Sequence, residues 1–262
     1  MKKKEEIRQM DKLWKKMKKP LKAFIETGGQ EELHEFRVQV KKLKAMLQLY
    51  ACEPGNQAVL KDFKPIKTAF KKAGEIRNAH INLKLAEKHQ LNNEGFRHQQ
   101  QQNLDHGSKV FRNNGRKYLK SVKKAHLVLQ NNLGRLHNKT IRNFYHDKLV
   151  QLNDFFARIT FNDDLHEARK NIKLLIYNQK IAARAIQNKM QLDYGYLDDL
   201  QNCIGEWHDH NLAAETLSGI AEAEHPAVID LKNSNNKLEK EILEKSNHFI
   251  KKVKILAEIA SA

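Results

Sequence analysis

His34, Arg37, Lys41, Lys44 and Gln48 follow one another at steps of three and four residues, the spacing that aligns side chains on one face of an α-helix. A second line has the same spacing: His166, Arg169, Lys173, Lys180 and Arg184, interrupted by Ile176 and with Lys170 one step round. Neither row holds a legible pair of carboxylates or metal-ligand spacing. Their chemistry is that of multiple non-covalent contacts to anions: arginine offers a planar fork of donors, lysine a mobile point charge, and histidine a charge that switches near pH 6.5.

A cation on each helical turn recurs about every 5 Å. A row with that repeat can meet several phosphates of an extended chain, which favours a linear polyphosphate over a lone anion. One residue before each member of the first row stand Leu33, Phe36, Val40, Leu43 and Leu47. The cationic row therefore runs about 100° from an apolar one, on the shoulder of the core rather than opposite it.

The composition makes the same demand on a larger scale. Lys and Arg number 48 against 31 Asp and Glu, a formal charge of +17 over 262 residues, and a surplus of that size calls for an anionic partner. Hydrophobic residues at 40% and charged residues at 30% fit an ordered chain. No run of about 18 apolar residues predicts a membrane span. The basic start of the chain, from Met1 to Lys19, lacks the apolar stretch of a signal peptide. Cys52 and Cys203 show no framework spacing and are read as small buried hydrophobes. A cytoplasmic location, with association to polyphosphate granules, is the expectation.

The elements that must position the rows are helices. Apolar periodicity predicts a helix from Glu5 to Thr27, with Pro20 as a kink, ended by Gly28-Gly29, and another from Gln30 to Ala51 stopped by Glu53-Pro54-Gly55-Asn56. Asn56 is expected to cap a third helix that meets Gly74; a short fourth reaches Gln90, a turn falls at Asn92 to Gly95, and a long polar helix covers Phe96 to Gln130, its Gln99 to Gln102 start read as a flexible tip. The pattern then repeats: Leu136 to Ile159, ended by Asn162-Asp163-Asp164; a helix to Met190; one ending at Gly205; a short one to Glu222; and a long one from Pro226 to Ala260.

Residues repeat as well as lengths. Leu33-His34-Glu35-Phe36-Arg37 with Lys41 matches Leu165-His166-Glu167-Ala168-Arg169 with Lys173, and Gly74-Glu75-Ile76-Arg77-Asn78 matches Gly205-Glu206-Trp207-His208-Asp209. The expected organisation is a single domain over residues 1–262, made of two copies of an antiparallel helical bundle: residues 1–131 and 132–262.

These four segments resemble the CHAD family, the conserved histidine α-helical domain, over nearly the whole chain. The resemblance implies an all-α fold of two antiparallel helical bundles related by a pseudo-twofold internal duplication around a central basic groove or pore. It implies inorganic polyphosphate as ligand, with His34, Arg37, Lys41, Lys44, His166, Arg169, Lys170 and Lys173 as contacts, joined by Arg77; Lys180 extends the second row. Where the family commonly has Gly-x-x-Arg-Asp, Asn78 replaces the acid in the first copy and His208 the arginine in the second, so the second is expected to grip less tightly. Asp209 is expected to orient a basic side chain or cap a helix. Nothing resembles the triphosphate-tunnel domain often fused to this family.

Other functions fit less well. The alternative is sequence-nonspecific binding of nucleic acid or another polyanion, but aromatics are only 7% and are not interleaved with the rows, leaving few platforms for base stacking. Adjacent residues in His208-Asp209-His210 diverge by about 100° on a helix, a poor set of metal ligands. The chain is therefore expected to be a binding protein and not an enzyme, with no catalytic residues, no metal and no cofactor.

Overall fold

The computed structural model describes residues 3–91, 93–186, 190–219 and 225–254. Their contacts divide the chain into two compact units, Met1–Leu136 and His137–Ala262. Among the described residues every regular element is helical, apart from an isolated bridge between Leu192 and Lys254.

The first unit contains α1 (Lys3–Thr27), α2 (Gln30–Ala51), a short α3 (Val59–Asp62), a 3-10 turn (Lys64–Ile66), α4 (Lys67–Lys88), α5 (Glu94–Asn113) and α6 (Gly115–Asn132). Met10, Trp14, Met17, Leu21 and Phe24, at steps of three and four along α1, are fully enclosed against the Leu33, Phe36, Val40, Leu43 and Leu47 stripe of α2. The reversal between these helices is possible because Gly28 takes a left-handed φ of +76°; its N–H closes α1 on Phe24 O at 2.8 Å. Helix α4 packs on α2 and α5, and α6 returns along α1, where His126 stacks on Trp14 at 4.9 Å and bonds Asp11 at 2.7 Å.

The second unit contains α7 (Asn138–Phe156), α8 (Asp163–Ile186), α9 (Tyr194–Ser218), α10 (Pro226–Ser246) and α11 (Phe249–Val253). Leu165, Ala168, Ile172 and Leu175 of α8 are buried between α7 and α9, and the Tyr145 hydroxyl of α7 donates to Leu175 O at 2.8 Å.

The largest departure from the sequence reading is at the glycines. Helices α4 and α9 run without interruption through Gly74 and Gly205, where the sequence pattern places helix ends. Both residues are buried and are reserved for a neighbour's side chain, described below. The five-by-five division of helices therefore gives way.

Other boundaries move for local reasons. Helix α1 runs on through Pro20. Asn56 does not cap α3 with its side chain; it is buried and accepts the Gly134 N–H at 2.9 Å, tying down the chain after α6. The polar stretch from Phe96 to Gln130 is two helices, because Asn114 leaves helical geometry and Gly115 admits Ile25 where a side chain would clash. Its glutamine-rich start is regular helix, capped by Asn93 Oδ1 accepting from Phe96 N at 2.9 Å. The final helix ends at Ser246, and His248 at φ +54° starts α11. The expected helix ends near Met190, Glu222 and Ala260, and the turn residue Asn92, touch residues outside those described. Cys52 is exposed, contrary to expectation, whereas Cys203 is buried.

Candidate anion-binding site

In the first unit the offset of one residue between the two stripes of α2 has its predicted effect: Leu33, Phe36, Val40 and Leu43 are buried while His34, Lys41 and Lys44 are exposed. Arg37 differs from the others in its row. It is half-buried, it reaches across to α4, and its Nη1 donates to Phe70 O at 2.9 Å with the guanidinium 4.5 Å over the Phe70 ring. The same nitrogen fills the space that a Cβ at Gly74 would occupy. A glycine inside α4 is thus tolerated despite a helix penalty of about 1 kcal/mol.

Helix α4 supplies a second cationic row: Arg77, His80 and Lys84 at steps of three and four. Burial lowers the Arg37 pKa, and the charge of Arg77 lowers it further. The His80 pKa is pulled below its ordinary value by burial, then by Lys84 and Arg77. Cations in this row thus oppose one another's charge, a field that an anion would relieve.

The second unit has a counterpart clasp. Arg169 Nε donates to Gln201 O at 2.9 Å, and its Nη2 fills the notch at Gly205. Lys173 Nζ reaches Gln201 Oε1 at 3.3 Å and lies 5.6 Å from the centre of the Tyr177 ring. Here charges are partly answered. Burial lowers the Arg169 pKa, while Asp209 raises it. Lys170 pairs with Glu167 at 2.5 Å in an exposed contact.

The His166 ring stacks on His208 of α9, centroids 4.1 Å apart and planes at 29°. His166 Nδ1 is buried without a hydrogen-bond partner. Burial first, then His208, Lys170 and Arg169, push the His166 pKa down to about 4, with Glu167 opposing.

The structure thus brings Arg37 to Arg77 through the clasp, and Arg169, Lys173 and Gln201 to one another. Lys180 is exposed and, about 10 Å along the axis from Lys173, touches none of them. Arg184 lies outside the described side chains. The sequence reading missed His80, Lys84 and the stack on His208; stepping by three and four from Arg77 would have found the first two, and nothing local marks the third. Among the described residues no group of three His, Cys, Asp or Glu side chains could hold a metal ion, and no helix is long and apolar enough to cross a membrane.

Each helical unit thus carries an arginine seated in a glycine notch of a neighbouring helix, beside exposed cations. The CHAD domain family model matches residues 8–218, so the chain belongs to the CHAD family. The crystal structure of the CHAD domain from the plant Ricinus communis is similar to it, with a TM-score of 0.62 and 16% identity over 91% of this chain and 89% of that one, a likeness of fold. No curated protein matches the chain.

Proposed function

We propose that this protein binds inorganic polyphosphate, without cleaving it, through the basic edges formed by α2 with α4 and by α8 with α9. The observation that carries the reading is the first unit's two basic rows, His34, Lys41 and Lys44 exposed on α2 and Arg77, His80 and Lys84 on α4, linked at Arg37, on which the strongest charge acting is Arg77. A field of like charges with a repeat of about 5 Å suits a linear polyanion. A net charge of +17 and membership of the CHAD family support the same partner, and the recurrence of the arginine-glycine clasp supports reading the two units as copies of one ancestral repeat.

Nucleic acid would need platforms for its bases. The aromatic rings at the site, Phe70 and Tyr177, lie against Arg37 and Lys173 instead, which favours recognition of phosphate alone.

The test is binding of polyphosphate of defined chain length at moderate salt. Lys41→Ala with Arg77→Ala should weaken binding at least tenfold, and Lys123→Ala with Lys124→Ala should have little effect. Equal losses would reduce the site to diffuse charge. In competition, long-chain polyphosphate should displace single- or double-stranded nucleic acid; displacement only in the opposite direction would overturn the proposal.

A further inference from the structure

We infer that His208 is a further contact for the phosphate chain, and that the stacked His166–His208 pair takes up a proton as the anion docks. The second unit would then hold its ligand by a titratable cation in the place where the first has the permanent charge of Arg77. The inference rests on the polyphosphate reading and specifies how one part of the site is regulated.

The geometry decides where the proton goes. Two rings with centroids 4.1 Å apart cannot both be charged without strong repulsion, so the pair behaves as one site with a single proton to share. His166 is the poorer holder, since its Nδ1 is enclosed without a partner and a protonated ring would bury an unpaired N–H. His208 is half-buried on α9 and, once charged, lies against the face of a neutral aromatic ring.

The surrounding charges leave the decision to the ligand. On α8 the groups acting on His166 are Lys170, Arg169 and Glu167; none on α7 contributes. Lys170 is answered by Glu167 and Arg169 by Asp209. On α9, Glu206 lies 4.0 Å from His210, one residue beyond Asp209. From α10, Glu239 is engaged by Trp207 Nε1 at 3.0 Å. Within this nearly balanced setting a docked polyanion supplies the negative charge that favours the imidazolium. In the matching sequence position of the first unit, Arg77 is charged at any physiological pH, so any uptake there falls to other groups, His80 among them, which the His208→Arg variant leaves in place.

Calorimetry with polyphosphate of defined length, in two buffers of different ionisation enthalpy near pH 6.5, counts the protons taken up. His208→Arg should keep the affinity at low pH, lose most of its roughly tenfold decline between about pH 5.5 and 8, and lower the uptake by up to about one proton. Histidine-selective NMR on the wild-type protein serves as the second measurement, free of any folding defect in the variant. Added polyphosphate at about pH 6.5 should move the His208 ring signals toward those of an imidazolium. Binding with equal uptake in both proteins, or His208 ring signals that do not respond to polyphosphate, overturns the inference and leaves the polyphosphate reading intact. No binding at any pH overturns both.

Discussion

The guanidinium of Arg37 occupies the space that a side chain at residue 74 would need. A glycine normally weakens a helix interior, yet α4 carries Gly74 in its middle and α9 carries Gly205, where Arg169 takes the same liberty. Each glycine lets a long cationic side chain cross close to a helix backbone and donate to a main-chain carbonyl, Phe70 O in one unit and Gln201 O in the other. The arginine is thereby fixed beside the exposed cations instead of moving freely among them.

Gly74→Ala should therefore destabilise the protein by about 0.5–2 kcal/mol, because the added methyl displaces the Arg37 guanidinium from Phe70 O, a loss of about 1.5–3 kcal/mol that outweighs a helix-propensity gain of about 1 kcal/mol. In an Arg37→Ala background the same change should become neutral or stabilising. Chemical denaturation of the four proteins in this double-mutant cycle measures the coupling. An equal loss in both backgrounds would mean that the glycine serves something other than the arginine.

Polyphosphate affinity should fall steeply with salt, since docking displaces counterions along the ligand. Lys41→Ala or Lys44→Ala should each reduce the slope of log K against log salt by about one, whereas Lys180→Ala, remote from the cluster, should change it less. Binding isotherms at several salt concentrations provide the slopes.

Acid should weaken the second unit through His166. Its folded pKa of about 4 lies below the unfolded value near 6.5, so between these values the unfolded chain binds more protons. The stability contributed is fully present above about pH 6.5 and is lost as pH falls toward 4. Solvent screening at this partly exposed ring limits the effect to about 1 kcal/mol. Thermal melts from pH 7 to 4.5 should show a shallower decline for His166→Gln than for the wild type.

Asn56→Ala should cost about 1–2 kcal/mol, because the part-buried Gly134 N–H would lose its acceptor. Hydrogen exchange at the Gly134 amide should accelerate in the variant well beyond the exchange of amides in the middle of α2.

Much of this was legible without coordinates because it is local. A step of three and four residues decides which side chains share a helical face, so the bounds of α2 and the adjacency of its apolar and cationic stripes follow from residue order alone. Gly28 and Gly29 marked a reversal for the same reason: a left-handed residue is cheap only for glycine. The family signature rests on such short patterns too. The membership of Arg37 and Arg77 in one cluster was legible only as a family resemblance, since they lie forty residues apart.

What the order of residues could not decide is whether a glycine ends a helix or makes room for a neighbour. At residues 74 and 205 both readings are locally consistent, and only the approach of an arginine from another helix separates them. The same holds for Asn56, whose side chain could equally have capped the next helix but bonds a backbone N–H seventy-eight residues away, and for His208, whose stacking on His166 joins α8 to α9. Local conformation follows from each residue's own steric and hydrogen-bonding preferences. Which of two satisfied states prevails depends on the packing energy of distant groups, and that energy exists only once the helices have met.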